Sequence, residues 1–195
     1  MRKIILTALI TLFMCGTYAF AADGVKGAQG GQVAEKSKKI LIVYYSWSGN
    51  TGKMAKMIQK ETGGEIFEIQ TEDAYPKEYK ATTEQAKEEI NKGYKPAIKG
   101  KVNNINEYDI IFVGSPNWWG TIAPAVTTFL TEYDLSGKTV APFFTHGGGG
   151  LQNCFADTKK LLPNSKVSES LAFSGYKIDD AQKELSKWVK EVVAK

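Results

Sequence analysis

Cysteine and histidine are both scarce in this chain of 195 residues, and each scarcity excludes a kind of chemistry. The two cysteines are Cys15 and Cys154, and only Cys154 lies outside the N-terminal stretch of residues 1–21. Once that stretch is removed, no intramolecular disulfide can form, so stability must come from a hydrophobic core. We expect Cys154 to pack as a small apolar group. The single histidine, His146, excludes a metal site built from several histidines.

Strong net charge and long apolar runs are also missing. Loss of Arg2 and Lys3 from the 25 basic residues, set against 21 acidic ones, leaves a charge of only about +2. Such a weak charge favours neither nucleic acid nor a membrane surface as a partner. The longest apolar stretch, residues 4–14, is shorter than the roughly 20 residues that span a bilayer. We therefore expect no nucleic-acid partner and no transmembrane segment in the mature chain.

The N-terminal residues have the pattern of a secretory signal peptide, because a basic pair precedes the apolar stretch and small residues follow around Ala19-Phe20-Ala21. We predict a signal peptide over residues 1–21, a flexible linker over residues 22–37 and one folded domain over residues 38–195. The protein is then periplasmic or extracellular. A lipid anchor at Cys15 is the disfavoured alternative, because the preceding Met14 is large.

Apolar runs of strand length alternate five times with helical patterns across the predicted domain. The predicted strands cover residues 40–45, 65–69, 110–113, 139–145 and 167–173, and the predicted helices cover residues 51–61, 82–92, 124–133, 153–162 and 179–193. This alternation is typical of an α/β fold, with a parallel sheet and helices on both faces. Pro142 falls inside the fourth strand, where its nitrogen cannot donate, so we expect a bulge or an irregular stretch there.

Three polar or glycine-rich loops follow the carboxyl ends of the first, third and fourth predicted strands. They are residues 46–51, residues 115–120 and residues 145–150. In doubly wound sheets, ligands bind at this edge, where the winding order of the strands reverses. If the first strand lies beside the third, the first two loops flank that point and the third loop is next to them.

The first loop, Ser-Trp-Ser-Gly-Asn-Thr, has the composition of a phosphate site. The first N–H groups of the following helix have no partner inside it, and the helix dipole is positive there. Three hydroxyls and one amide add donors, and Gly49 permits a tight turn. A plain helix cap explains one hydroxyl but not the cluster.

The second and third loops suit a planar ring. Trp118 and Trp119 offer indole rings for stacking, although we expect one of the two to cap the core instead. The four glycines at residues 147–150 allow main-chain amides to approach a ligand, or serve only as a flexible connection. His146 hydrogen-bonds either a ligand or a backbone carbonyl. Together the loops predict a pocket for a phosphorylated planar ring system.

On these motifs, the chain resembles the flavodoxin family over essentially all of residues 38–195. The first loop is similar to the FMN-phosphate loop of flavodoxins, and the other two are similar to loops of short flavodoxin-like proteins. The resemblance implies a three-layer α/β/α sandwich, a five-stranded parallel sheet of order 2-1-3-4-5, and FMN as the cofactor. The cofactor-binding residues that it implies are Ser46, Trp47, Ser48, Gly49, Asn50, Thr51, Pro116, Asn117, Trp118, Trp119, Gly120, Thr145, His146, Gly147 and Gly148.

The chain also departs from the family pattern. Many flavodoxins are strongly acidic and cytoplasmic, whereas this mature chain is nearly neutral and carries an export pattern, so the usual reductase partners do not carry over. Residues 71–101 are longer than a strand-to-helix link requires, which favours a lid or a partner surface near the flavin. The Trp119–Gly120 peptide is the candidate for the flip by which flavodoxins adjust the flavin potential.

Electron transfer is the function that the resemblance favours, because the chain has no second domain for a nicotinamide and no evident acid, base or nucleophile. The alternative is an FMN-dependent NAD(P)H quinone or nitro reductase on the same fold. A third possibility is a pocket that binds another phosphate compound or has lost its ligand. We expect a redox partner protein or a small-molecule electron acceptor, and we favour a monomer over a dimer.

Overall fold

The computed structural model describes residues 37–195, which form seven strands, five α-helices and two short 3-10 helices. The strands are β1 (Ile40–Tyr44), β2 (Glu65–Glu68), β3 (Ile110–Trp118), β4 (Thr121–Ile122), β5 (Thr139–His146), β6 (Lys166–Val167) and β7 (Leu171–Ser174). The helices are α1 (Asn50–Thr62), α2 (Tyr79–Lys92), α3 (Pro124–Glu132), α4 (Cys154–Leu161) and α5 (Gln182–Val193). The predicted signal peptide, and the predicted linker apart from Ser37, lie outside the described residues.

A parallel sheet forms the middle layer, in the order β2-β1-β3-β5, and β6 and β7 both pair with β5 at the far edge. β1 pairs with β3, as the position of the candidate site requires. The short β4 forms a hairpin with β3. With β6 and β7 counted as one interrupted strand and β4 left aside, the order is the predicted 2-1-3-4-5, and the flavodoxin-like fold is confirmed.

Alternate residues of β1 divide the core between two helical layers, because successive side chains of a strand point to opposite faces. Leu41 and Val43 pack with α3 and α4, whereas Ile40 and Ile42 pack with α1 and α5. All five residues of β1 are buried, as expected for a strand covered on both faces. None of the helices between residues 37 and 195 is long and apolar enough to cross a membrane.

β5 is regular at Pro142, and the interruption falls instead in the neighbouring strand, which is divided into β6 and β7. β5 pairs with β3 without interruption from Thr139 to Thr145, so the predicted bulge is wrong. On the other side, Val140 accepts a hydrogen bond from Ser168, and groups two residues along a strand point the same way. The nitrogen of Pro142 therefore faces the gap between β6 and β7, where no donor is needed.

β3 continues beyond its predicted end at residue 113, through Gly114 to Trp118. Glycine, serine, proline and asparagine have low strand propensity, but pairing of Ser115 with Phe144 and of Pro116 with Thr145 extends the ladder. At Gly114 an added Cβ would lie 2.3 Å from the Phe143 ring, so only glycine fits. Four of the six residues of the second predicted loop thus belong to a strand.

Cys154 is fully buried at the start of α4. Burial, with the nearby Asp157 carboxylate, raises the pKa of its thiol to about 12.

We predict that dithionitrobenzoate at pH 8 does not modify Cys154 in a folded Cys15→Ser variant, because the thiol is neither accessible nor ionised. In guanidinium chloride the same reagent should label one thiol. Fast labelling of the folded variant would contradict this burial.

Candidate functional site

The loop between β1 and α1 is held by bonds within itself. Gly49, the residue before α1, has a φ of 88°, in the left-handed region where glycine carries no steric cost. The Ser46 hydroxyl accepts a hydrogen bond from the Gly52 N–H at 3.1 Å, and the Gly49 carbonyl accepts one from Lys53 at 2.9 Å. The Thr51 hydroxyl lies 2.8 Å from that of Thr145, which joins this loop to the end of β5.

The residue before α1 does not cap the helix, and of the amides of residues 48–52 only that of Gly52 is bonded among the described residues, to the Ser46 hydroxyl. Gly49 offers no side chain, and the first turn of the helix contains no acidic residue. The amides of residues 48–51 donate no hydrogen bond to any group within residues 37–195. Helix α2 differs, since the Glu78 carboxylate accepts hydrogen bonds from two amides of its first turn. The start of α1 therefore presents unpaired N–H groups and the positive end of the helix dipole to an anion.

Trp119 and Gly120 form the two-residue turn between β3 and β4. Their φ angles are 53° and 88°, and two positive φ angles are typical of the tight hairpin turn that matches strand twist. A bulky residue in this region costs about 1 kcal/mol. The Asn117 side chain supports the turn, because its oxygen accepts a hydrogen bond from Gly120 at 2.9 Å and its nitrogen donates to the Gly150 carbonyl at 2.7 Å.

The two adjacent tryptophans point in different directions. The Trp118 ring packs edge-on against Tyr45 and Tyr75, with ring centres 5.5 Å and 4.9 Å apart, at the border of the core. Trp119 is 57% exposed, and its indole N–H donates to the Thr83 carbonyl of α2 at 2.9 Å. Trp118 is thus the member of the pair that covers the core.

The imidazole of His146, at the end of β5, bonds within its own loop. Its Nδ1 accepts a hydrogen bond from the Gly148 N–H at 3.1 Å, which places the proton of the neutral ring on Nε2. Of the two predicted partners, a ligand or a backbone carbonyl, neither is bonded to Nδ1, since the Gly148 N–H occupies it. This bond orders part of the glycine loop.

A cavity of about 500 Å³ opens between the three loops. Ten of the residues implied by the resemblance line it: Trp47, Ser48, Asn50, Pro116, Asn117, Trp118, Trp119, Thr145, His146 and Gly147. Gly120 lines an adjoining cavity on the side of α4. The hydroxyls of Ser46 and Thr51 make the internal bonds described above, and Gly49 and Gly148 do not line the cavity.

Two further elements complete the wall, and the sequence analysis did not assign their residues. Helix α2 contributes Tyr79, Thr82, Thr83 and Ala86, and the turn after β7 contributes Gly175 and Tyr176. Residues 71–101 thus supply one side of the cavity. At Gly175 an added Cβ would lie 2.4 Å from the side-chain amide of Asn50, so a larger residue would displace that side chain. The sequence could have indicated these two residues, because Gly175 and Tyr176 follow the carboxyl end of the last strand, at the same edge of the sheet as the three loops.

The cavity is nearly free of charge. Among the described residues that line it there is no Asp, Glu, Lys or Arg, and the ionisable groups are His146 and two tyrosines. An anion at this site meets amide dipoles and hydroxyls instead of side-chain cations.

A family model described as flavodoxin matches residues 39–192. The chain belongs to the flavodoxin family. It is similar to provisionally assigned flavoproteins from Bacteroides eggerthii (29% identity, TM-score 0.70, 81% of this chain and 99% of the other) and Bacteroides uniformis (26%, 0.70, 80% and 99%). It is also similar to a flavoprotein from Lactobacillus acidophilus in complex with FMN, at 32% identity and a TM-score of 0.63, over 73% of this chain and 97% of the other.

Asn117 joins two loops of this flavodoxin, and Asn117→Ala removes both of its short hydrogen bonds. We predict that unfolding in urea shows a loss of roughly 1–3 kcal/mol, since each bond contributes about 0.5–1.5 kcal/mol. Asn103→Ala is the matched control, because Asn103 is exposed and its side chain makes no hydrogen bond within residues 37–195. Equal losses in the two variants would contradict the bridging role.

Proposed function

We propose that this protein binds FMN and acts as an exported electron carrier of the flavodoxin type. The observation that carries the proposal is the start of α1, where amides unpaired within residues 37–195 lie beside a neutral cavity lined by aromatic rings. The similarity to the Lactobacillus acidophilus protein, which was solved in complex with FMN, supports the same ligand.

The residues present fit a phosphate at the start of α1. The amides of residues 48–51 have no partner within residues 37–195, and the Ser48 and Asn50 side chains line the cavity at the same point. A phosphate monoester carries nearly two negative charges at neutral pH. Unpaired amides at the positive end of a helix stabilise such a charge without the desolvation of a lysine or arginine.

The rest of the cavity fits a planar ring of the size of isoalloxazine. Trp118, Trp119, Tyr79 and Tyr176 supply aromatic surface. Asn117 and the turn at His146 would border the polar edge of the ring, and α2 would exclude water from one side. Bound FMN supplies the one-electron and two-electron chemistry, and this chain binds, orients and shields it.

The site also favours electron transfer over a reaction with a nicotinamide. A dinucleotide brings a second set of phosphates, whereas the proposed FMN phosphate already takes the open start of α1 and the first-turn amides of α2 are bonded to Glu78. We propose that electrons pass to a redox partner protein or a small-molecule acceptor outside the cytoplasm, because the N-terminal sequence has an export pattern.

The phosphate assignment predicts different losses for FMN and riboflavin. In a variant carrying Ser48→Ala and Asn50→Ala, whose side chains line the cavity at the start of α1, FMN affinity should fall roughly tenfold to a hundredfold, as expected for a lost charge-assisted hydrogen bond, while riboflavin affinity changes little. Flavin fluorescence titration measures both. A Thr131→Ala and Ser136→Ala variant, changed at exposed positions away from the cavity, serves as the matched control. Equal losses for both flavins would contradict the assignment.

The carrier role predicts stepwise reduction. Titration of the FMN-loaded protein with dithionite should show two separate one-electron steps in the absorption spectrum, and NADH or NADPH with a quinone should give no steady turnover. Sustained oxidation of either nicotinamide would favour the reductase instead. The measurement separates the two functions because both require bound FMN but only the reductase accepts hydride.

A further inference from the structure

Residues 73–96, which include α2, form a segment that leaves the sheet edge and returns to it at one place. We call it the cover segment. Its two ends are joined by short antiparallel contacts, in which Glu72 donates to the Ala97 carbonyl at 2.8 Å and Lys99 donates to the Gln70 carbonyl at 2.7 Å. Thr71 and Ile98 pair between them. The segment is therefore fixed at its base, and its other contacts decide where α2 lies.

Hydrophobic burial holds α2 only weakly. Its buried residues are Thr82, Ala86 and Glu89, so no large apolar side chain of this helix is buried. Helix α1, by comparison, buries Met54 and Ile58 among others. Since hydrophobic stabilisation scales with the apolar area removed from water, α2 depends more than α1 on its individual polar contacts. Elements with little buried apolar area open most readily from a native fold.

The main buried aromatic of the segment is Tyr75. Its hydroxyl donates to the Glu89 carboxylate, which also accepts a hydrogen bond from Gln85 at 2.8 Å. These bonds lie within the cover segment and keep its turn and helix together. The Tyr75 ring packs edge-on against Trp118. The segment is thus organised internally and rests on the aromatic side of the candidate site.

Two indole N–H groups connect the cover segment to the two sides of the candidate site. Trp47, in the loop before α1, donates to the Pro76 carbonyl at 3.0 Å. Trp119, in the turn between β3 and β4, donates to the Thr83 carbonyl at 2.9 Å. The Lys87 ammonium lies 4.9 Å from the centre of the Trp119 ring and adds a third contact.

We propose that the cover segment opens to admit and release FMN, and that the indole bonds of Trp47 and Trp119 set its closed position. The inference rests on the proposed FMN site. Opening breaks the two indole bonds and the Lys87 contact and exposes little apolar surface from α2 itself, whereas the buried Tyr75 ring and the Thr128–Pro96 hydrogen bond hold the base of the segment in both forms. Trp47 and Trp119 are then positioning residues, because they act on the ligand through the segment that they hold.

Stopped-flow fluorescence of FMN binding and release tests the two tethers. Trp47→Phe and Trp119→Phe keep an aromatic ring and remove the N–H donor. Each should raise both the association and the dissociation rate by about threefold to tenfold, the range for one net hydrogen bond. Trp119 is largely exposed, so its replacement leaves no buried cavity.

The matched control is Trp188→Phe, in α5 on the other face of the sheet. The Trp188 indole also donates to a backbone carbonyl, that of Glu169, at 2.9 Å. The same kind of bond is lost, but α5 retains the buried Leu185, Val189 and Val192. Both FMN rates should stay at wild-type values. Equal acceleration in Trp188→Phe would overturn the proposal, because the cause would then be general loosening.

Hydrogen exchange of the flavin-free protein gives a second readout that needs no ligand. Amides of α2 should exchange faster in Trp47→Phe and Trp119→Phe than in wild type, whereas Trp188→Phe should not change them. A faster dissociation rate alone, with α2 exchange unchanged, would overturn the proposal, because it indicates a lost flavin contact. Unchanged rates in variants that bind FMN would also overturn it. Failure of the wild-type protein to bind FMN would instead count against the proposed function.

Discussion

Parallel pairing aligns the carboxyl ends of β1, β3 and β5 at one edge of the sheet, and the three loops of the candidate site lie together because they are at that edge. Tyr44 pairs with Gly114, which pairs in turn with Phe143. The Phe143 ring occupies the place of a Gly114 side chain, so this position admits no larger residue. The resulting register brings the hydroxyls of Thr51 and Thr145 within hydrogen-bond distance, although 94 residues separate them.

Local costs are concentrated around the same edge. Helix α1 begins with unpaired amides, and Trp119 adopts a left-handed φ that is unfavourable for a bulky residue. Packing away from the site offsets these costs, since α1 buries Met54 and Ile58 against the sheet. A folded state that keeps unfavourable geometry at a pocket edge is typical of a binding site, where conformation is fixed by the surroundings.

The sequence predicted the layers of this fold because each strand or helix has its own periodicity. The apolar run of β1 and the helical spacing in α5 are local signals, and parallel connections then place successive loops at one edge. The extension of β3 was missed, because residues 114–118 are poor strand formers that the β5 ladder holds in place. The position of α2 over the cavity was missed in detail because indole bonds to carbonyls leave no periodic pattern.

The indole hydrogen bonds that the sequence did not predict matter because they hold α2 against a cavity whose lining carries no charged side chain. A charged side chain in the lining would have to be desolvated when an aromatic ring entered, at a cost that backbone amides at a helix start avoid. The anion-binding groups and the apolar lining are therefore compatible within one small space. Within residues 37–195, α2 makes no ion pair with the three loops of the candidate site. Its contacts with those loops are neutral hydrogen bonds and the Lys87 ammonium beside the Trp119 indole. The proposed affinity for a phosphorylated ring and the proposed mobility of the wall beside it thus have separate physical origins: the first lies in α1, the second in α2.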